Sequence, residues 1–237
     1  MRASIVLDMV LAGKIDELIK KLRDEIYVNS LKRKPNGKKR YSAMKKYFTL
    51  SDSVRDICQK PCEVEFEGRD YISFTDSFSI ILTTEGVGEM ELFDNTDNRY
   101  PDPHRLIRIE GKPRKVDLNK VIAEAKSRGY KLKKYEYFAN RSLLHYDGAF
   151  FRIPLIDAAY SIIADDGEVD IYHGNDYRKP LVIKNNIGMA VIMPINRPYD
   201  EDKEMDESKI IIEVDLDGNI IRNEEELNGG TELSKEM

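Results

Sequence analysis

Phe150-Phe151-Arg152-Ile153 runs directly into Pro154-Leu155-Ile156-Asp157-Ala158-Ala159-Tyr160-Ser161-Ile162-Ile163, an aromatic strand feeding an apolar helix. Beyond it come Glu168-Val169-Asp170-Ile171-Tyr172, Lys179-Pro180-Leu181-Val182-Ile183 and Met189-Ala190-Val191-Ile192-Met193-Pro194. Each is a short apolar or alternating run bounded by turn residues, so residues 150–196 predict strand, helix, strand, strand, strand. Residues 47–83 carry a weaker copy. There Tyr47-Phe48-Thr49-Leu50 reads as a strand and residues 51–60 as a helix, followed by strands at 63–66, 71–74 and 79–82. The acidic-apolar segments 63–70 and 168–176 match almost register for register. A repeated β-α-β-β-β unit predicts an α+β fold: two half-domains with antiparallel sheets, packed about a pseudo-two-fold axis.

Outside the repeats, Ile15, Leu18, Ile19 and Leu22 recur at helical spacing, which predicts a helical region over 3–27 that Gly13 splits in two. Residues 32–40 carry turn chemistry and read as a basic linker. Three parts follow: an N-terminal helical extension and basic linker at 1–38, the repeat domain at 39–199, and an acidic tail at 200–237. The half repeats fall at about 45–83 and 148–196, with 85–111 a long connection between them. Asp117 is placed to cap a helix through Arg128 that Gly129 closes. Strands are expected at 131–138, 142–146 and 209–214, with Asp147-Gly148 a hairpin turn.

The composition, 41% hydrophobic and 34% charged over 237 residues, is that of a soluble globular protein. No apolar run approaches the roughly 20 residues a membrane-spanning helix requires, and the N-terminus does not read as a signal peptide. Two cysteines, Cys58 and Cys62, make no disulfide framework, so a reducing, cytoplasmic location is expected. Residues 200–237 hold fourteen Asp/Glu and four Lys/Arg, a net of −10, against −5 for the whole chain. The body therefore carries about +5. A mildly basic body with an acidic tail permits nucleic-acid contact without establishing it.

Over 150–196 the sequence resembles the closing half-domain of a bacterial sliding clamp, the β subunit of the replicative DNA polymerase. The resemblance rests on Leu155-Ile156-Asp157-Ala158-Ala159, Glu168-Val169-Asp170-Ile171, Lys179-Pro180-Leu181-Val182-Ile183 and Ala190-Val191-Ile192-Met193-Pro194-Ile195. It implies a DNA-clamp-like domain with a scaffolding role; the sequence carries no P-loop, nucleophile elbow or dinucleotide glycine pattern, so no enzymatic activity and no cofactor are expected. Clamps string three such domains per chain and close a ring from two chains, whereas this chain has material for about one, so a ring would need six copies, as a homo-oligomer, or a partner. Clamp helices turn Lys and Arg toward DNA, yet helix 154–164 has neither, and 51–60 offers Arg55 and Lys60 beside Asp52 and Asp56.

The resemblance places Val191, Ile192, Met193, Pro194 and Ile195 where clamps build part of a pocket for partner peptides, and a Met-rich rim suits varied side chains. The other reading is that Val191 and Met193 alternate into the sheet core. Lys38, Lys39, Arg40, Lys45 and Lys46, with Arg55 and Lys60, are the candidate DNA contacts. Interleaved Tyr41 and Tyr47 would suit stacking on single strands. The competing reading is a solvated linker balanced by the tail. Cys58-x-x-x-Cys62 and three scattered histidines lack the four-ligand pattern of zinc, so buried thiols are expected and no metal. Asp76, Asp94, Asp97 and Asp102 are the carboxylates near the long connection that could serve Mg²⁺ chemistry, while acidic loops are usually solvated. Three functions compete. The leading one is a clamp-like accessory of replication or of a mobile element such as a phage, recruiting a replication protein near DNA. The second is a monomeric interaction or inhibitor protein on the same fold, and the third a metal-dependent nuclease.

Overall fold

A computed structural model describes residues 3–51, 55–134, 137–163, 169–174, 176–195 and 210–221. Its helices are α1 (Ala3–Leu11), α2 (Ile15–Ser30), α3 (Gly37–Ser51), α4 (Pro103–Leu106), α5 (Leu118–Ser127) and α6 (Ile153–Ile163). The strands are β1 (Cys62–Phe66), β2 (Arg69–Thr75), β3 (Ser79–Thr83), β4 (Arg114–Val116), β5 (Ser142–Tyr146), β6 (Ala149–Arg152), β7 (Val169–Tyr172), β8 (Leu181–Lys184), β9 (Gly188–Ile192), β10 (Ile210–Val214) and β11 (Ile220–Ile221). Seven strands form one antiparallel sheet in the order β1-β2-β3-β9-β8-β7-β4. The other four form a second sheet, β11-β10-β5-β6, in which β10 runs parallel to β5.

The large sheet is nearly symmetric about its centre. Ile81 of β3 pairs with Ala190 of β9, and outward from that pair Phe74 faces Ile81 while Ile183 faces Ala190. Three strands of each repeat thus meet back to back, β3 against β9. Contact at this seam is close: a Cβ at Gly188 would lie 2.0 Å from the Leu82 carbonyl oxygen, so any side chain there would push the two halves apart.

The outer strands break the match read from sequence. Counting out from the centre, Cys62 occupies the place of Tyr172, since Cys62 faces Ser73 and Tyr172 faces Val182. The near-identity of 63–66 with 168–171 instead aligned Val64 with Val169. The two point to opposite faces: Val64 and Phe66 pack outside with Val191, whereas Val169 and Ile171 pack against the helices. An odd shift in register reverses every side chain of a strand, because successive residues alternate faces.

On the inner face α3 and α6 lie side by side. All side chains of α6 except Ser161 are buried, between the large sheet, α3, α5 and the β5–β6 hairpin. Burial on all sides explains a helix without Lys or Arg. Asp157 is its one charged residue and lies within reach of the Tyr130 hydroxyl at 3.1 Å and Lys126 at 3.5 Å. On the outer face, Phe66, Ile80, Leu82, Val182, Met189 and Val191 form a smaller cluster closed by Ile107. The long connection therefore contributes to the outer cluster through Ile107.

Several expectations change. Tyr47-Phe48-Thr49-Leu50 is the C-terminal part of α3, not a strand. Its apolar residues continue the helical spacing of Tyr41 and Met44 on one side, which overrides the strand preference of four residues. In place of a helix at 51–60 only a 3-10 turn, Asp56–Cys58, is present among the described residues. No strand forms over the described part of 131–138; Tyr137 instead sits in a turn and is fully buried. Of the basic linker at 32–40, residues 32–33 lie in a 3-10 turn, 34–36 form a turn, and only 37–40 open α3. Asp117 does cap α5, accepting from the Lys120 amide at 3.2 Å, and Asp147-Gly148 turns the β5–β6 hairpin with both φ positive. The acidic run 200–207 lies outside the described residues.

Candidate partner groove and basic helix face

The residues nominated for a peptide pocket span the end of β9. Val191 and Ile192 are buried on opposite faces of the sheet, Ile195 is buried with its amide donating to the Phe150 carbonyl at 2.9 Å, and Pro194 is half-buried. Met193 alone is exposed, at 45%. Its amide donates to the Phe78 carbonyl at 2.9 Å, which fixes the backbone while the side chain reaches into a groove. Tyr172 and Pro180 supply one apolar wall and Leu106, at the end of α4, another. Arg105, Arg108 and Lys179 line the groove too, together with Glu110. Arg105 pairs with Asp102 at 3.3 Å and Lys179 with Glu110 at 3.0 Å.

The groove encloses about 180 Å³. Small-molecule sites usually measure roughly 300–1,000 Å³. This one fits an apolar side chain or two from a peptide, with cations at the rim to meet an acidic neighbour. Sequence reasoning found Met193 but missed Tyr172, Pro180 and the three cations. The only local sign was the Arg105-Leu106-Ile107-Arg108 run, which had been read as part of a spacer.

The lysines nominated for DNA contact gather on α3. Lys38, Lys39, Ser42, Lys45, Lys46 and Thr49 are all exposed and share one helical side. Tyr41, Met44, Tyr47 and Leu50 form the buried side. No acidic residue occurs within α3. Lys45 is the partial exception to a free cationic face, pairing with Asp24 of α2 at 2.6 Å and lying over the Tyr41 ring. Burial acts to raise the Asp24 carboxyl, but bonds from Lys45 and the Tyr41 hydroxyl hold it below the usual range.

Other nominated groups are placed differently. Arg40 points inward, 3% exposed, with its guanidinium on Glu85 at 3.0 Å, so it meets no phosphate. Tyr41 and Tyr47 are buried and cannot stack on nucleic-acid bases. Arg55 donates to the Ser77 hydroxyl at 3.3 Å, and Lys60 pairs with Glu91. Neither lies on α3. Cys58 and Cys62 are buried free thiols, and burial pushes Cys62 up to about 11.

The carboxylates near the connection do not act as a set. Asp76 is buried at the β2–β3 turn, Asp94 accepts from the Thr96 amide at 3.1 Å, and Asp102 caps α4 through the His104 amide at 3.0 Å. Asp94 and Asp102 each serve a local turn or helix end, while Asp76 also accepts from the distant Tyr137 hydroxyl.

Comparison with solved structures finds bacterial sliding clamps. The fold is similar to that of bacterial DNA polymerase sliding clamps. The clamp from Bacillus subtilis shares 14% identity at a TM-score of 0.46, covering 69% of this chain and 63% of that one. The DNA polymerase III β subunits of Borrelia burgdorferi, solved with a natural product, and of Pseudomonas aeruginosa share 13% and 10%, at TM-scores of 0.43 and 0.38. They cover 67% and 68% of this chain, and 63% and 65% of theirs. No family model and no curated protein matches the chain. At these values the likeness concerns the fold and assigns no role to any residue.

Proposed function

We propose that this chain is a non-enzymatic, sliding-clamp-like binding protein, an accessory of DNA replication or of a mobile element, that holds a protein partner beside duplex DNA. One observation carries the reading. The Met193 groove opens beside the outer cluster of the large sheet, while the α3 lysines stand on the inner, helix side. A single rigid sheet therefore separates a peptide-sized groove from a cationic face, which is the arrangement a scaffold needs to hold two ligands at once.

The partner's chemistry follows from the groove. An apolar anchor would enter between Tyr172, Leu106 and Met193, and an Asp or Glu beside it would meet Arg105, Arg108 or Lys179. A fluorescent peptide set with an apolar residue next to a carboxylate, read by anisotropy, tests this. Met193→Glu is expected to weaken the best binder about tenfold, close to 1.4 kcal/mol, by placing a charge in an apolar slot. Duplex binding by the same variant should stay unchanged. Equal peptide affinity in wild type and variant would remove the groove from the proposal.

A further inference from the structure

Among the described residues, the most exposed apolar surface belongs to neither of these sites. On α2, Ile15, Ile19, Leu22 and Ile26 are 39–70% exposed and spaced four, three and four apart. That is the seam of a two-helix packing, in which apolar residues alternate three and four apart along one stripe. The seam points away from the body. The opposite side of α2 is the one that docks, with Tyr27 edge-on to Tyr41 and its hydroxyl donating to the Gly86 carbonyl at 2.5 Å. Leu18, flanking the seam, is buried.

The neighbouring helix has the same character. In α1, Ala-Ser-Ile-Val-Leu-Asp-Met-Val-Leu, Asp8 is the one charged residue, yet Leu7, Val10 and Leu11 are 47–77% exposed. Helices apolar nearly all round are found buried. Together the two helices expose on the order of 800 Å² of apolar side chain, what one partner contributes to a standard interface.

Charge decides the occupant. Residues 14–25 carry four basic and four acidic side chains. A helix that lies on anionic lipid has a basic polar face instead. Beside the seam, Asp16 and Arg23 hold equivalent flanking positions seven residues apart. Two α2 helices packed antiparallel would set Asp16 of each copy near Arg23 of the other, twice by symmetry. A parallel pair would put Arg23 beside Leu18. Opposite charges at flanking positions choose partner and orientation. We infer that the α1–α2 hairpin is a self-association element, which joins two copies of this chain through an antiparallel α2–α2 seam in a four-helix bundle.

The full chain should run as a dimer by light scattering and dissociate on dilution. Ile19→Glu with Ile26→Glu should give a monomer that unfolds where dilute, dissociated wild type does, because both residues are exposed on the single copy. Asp16→Lys should raise the dissociation constant several-fold, and adding Arg23→Asp should restore it. A wild type that stays monomeric at the highest concentration overturns the inference. So does a dimer that survives the double Glu substitution, failure of the charge swap to restore, or a monomer that instead binds phosphatidylserine vesicles.

Discussion

Replacing Asp76 by alanine is expected to destabilise the protein by about 3–5 kcal/mol, the loss typical of breaking a buried charged network. Asp76 is 2% exposed and accepts from the amides of Phe78 and Ser79 at 2.8 and 2.6 Å, the Ser79 hydroxyl at 2.9 Å and the Tyr137 hydroxyl at 2.7 Å. The Tyr47 hydroxyl, from α3, lies 3.1 Å from the Ser79 hydroxyl. One carboxylate thus ties the β2–β3 turn, α3 and the segment before β5 together. Without it each orphaned donor costs about 1–3 kcal/mol. Urea unfolding checks this: the midpoint should fall with an unchanged slope, and a loss under about 1 kcal/mol would show that the network is dispensable.

The same residue sets a pH dependence. Burial, against the pull of its donors, raises the Asp76 carboxyl above its ordinary value of 3.8. A raised carboxyl binds its proton more tightly folded than unfolded. The part of its contribution linked to that proton is then complete below 3.8 and is lost as pH climbs through the raised value. The gap between wild type and Asp76→Ala should accordingly be widest in acid and narrow over that window. A gap that widens with rising pH would mean that the donors outweigh burial.

Asp76 also shows where the sequence was readable and where it was not. In the linear chain it is one carboxylate among four near a long connection; only folding reveals that Tyr137, sixty-one residues away, donates to it. The second repeat could be read because α6 and β8–β9 are buried save Ser161 and Lys184, so long apolar runs announce them. The first repeat is half-exposed and its signals conflict. Strand-favouring Tyr47-Phe48-Thr49-Leu50 belongs to a helix whose period shows only when counted from Tyr41. The register of β1 could not be fixed from composition, since Glu-Val-Glu-Phe fits either face equally well. For the groove, Met193 was visible as a motif, while Arg105, Tyr172 and Lys179 are brought to it by three separate segments.

Reversing three of the α3 lysines, Lys38→Glu with Lys39→Glu and Lys46→Glu, is expected to weaken duplex binding about a hundredfold near 0.1 M salt. Each phosphate contact releases counterions and contributes about 0.9 to the slope of log affinity against log salt. Three lost contacts should therefore flatten that slope by about 2.7. Affinity should fall alike for unrelated sequences, because phosphate contacts carry no base information. Lys45 is left out because Asp24 already neutralises part of its charge. Arg40 supplies the control. Its guanidinium is buried on Glu85, so Arg40→Ala should lower the unfolding midpoint while leaving the salt slope of the folded protein intact. Charge reversal that leaves the slope as it was would take α3 out of any nucleic-acid interface. A slope that falls with Arg40→Ala would mean that the inward arginine reaches phosphate after all.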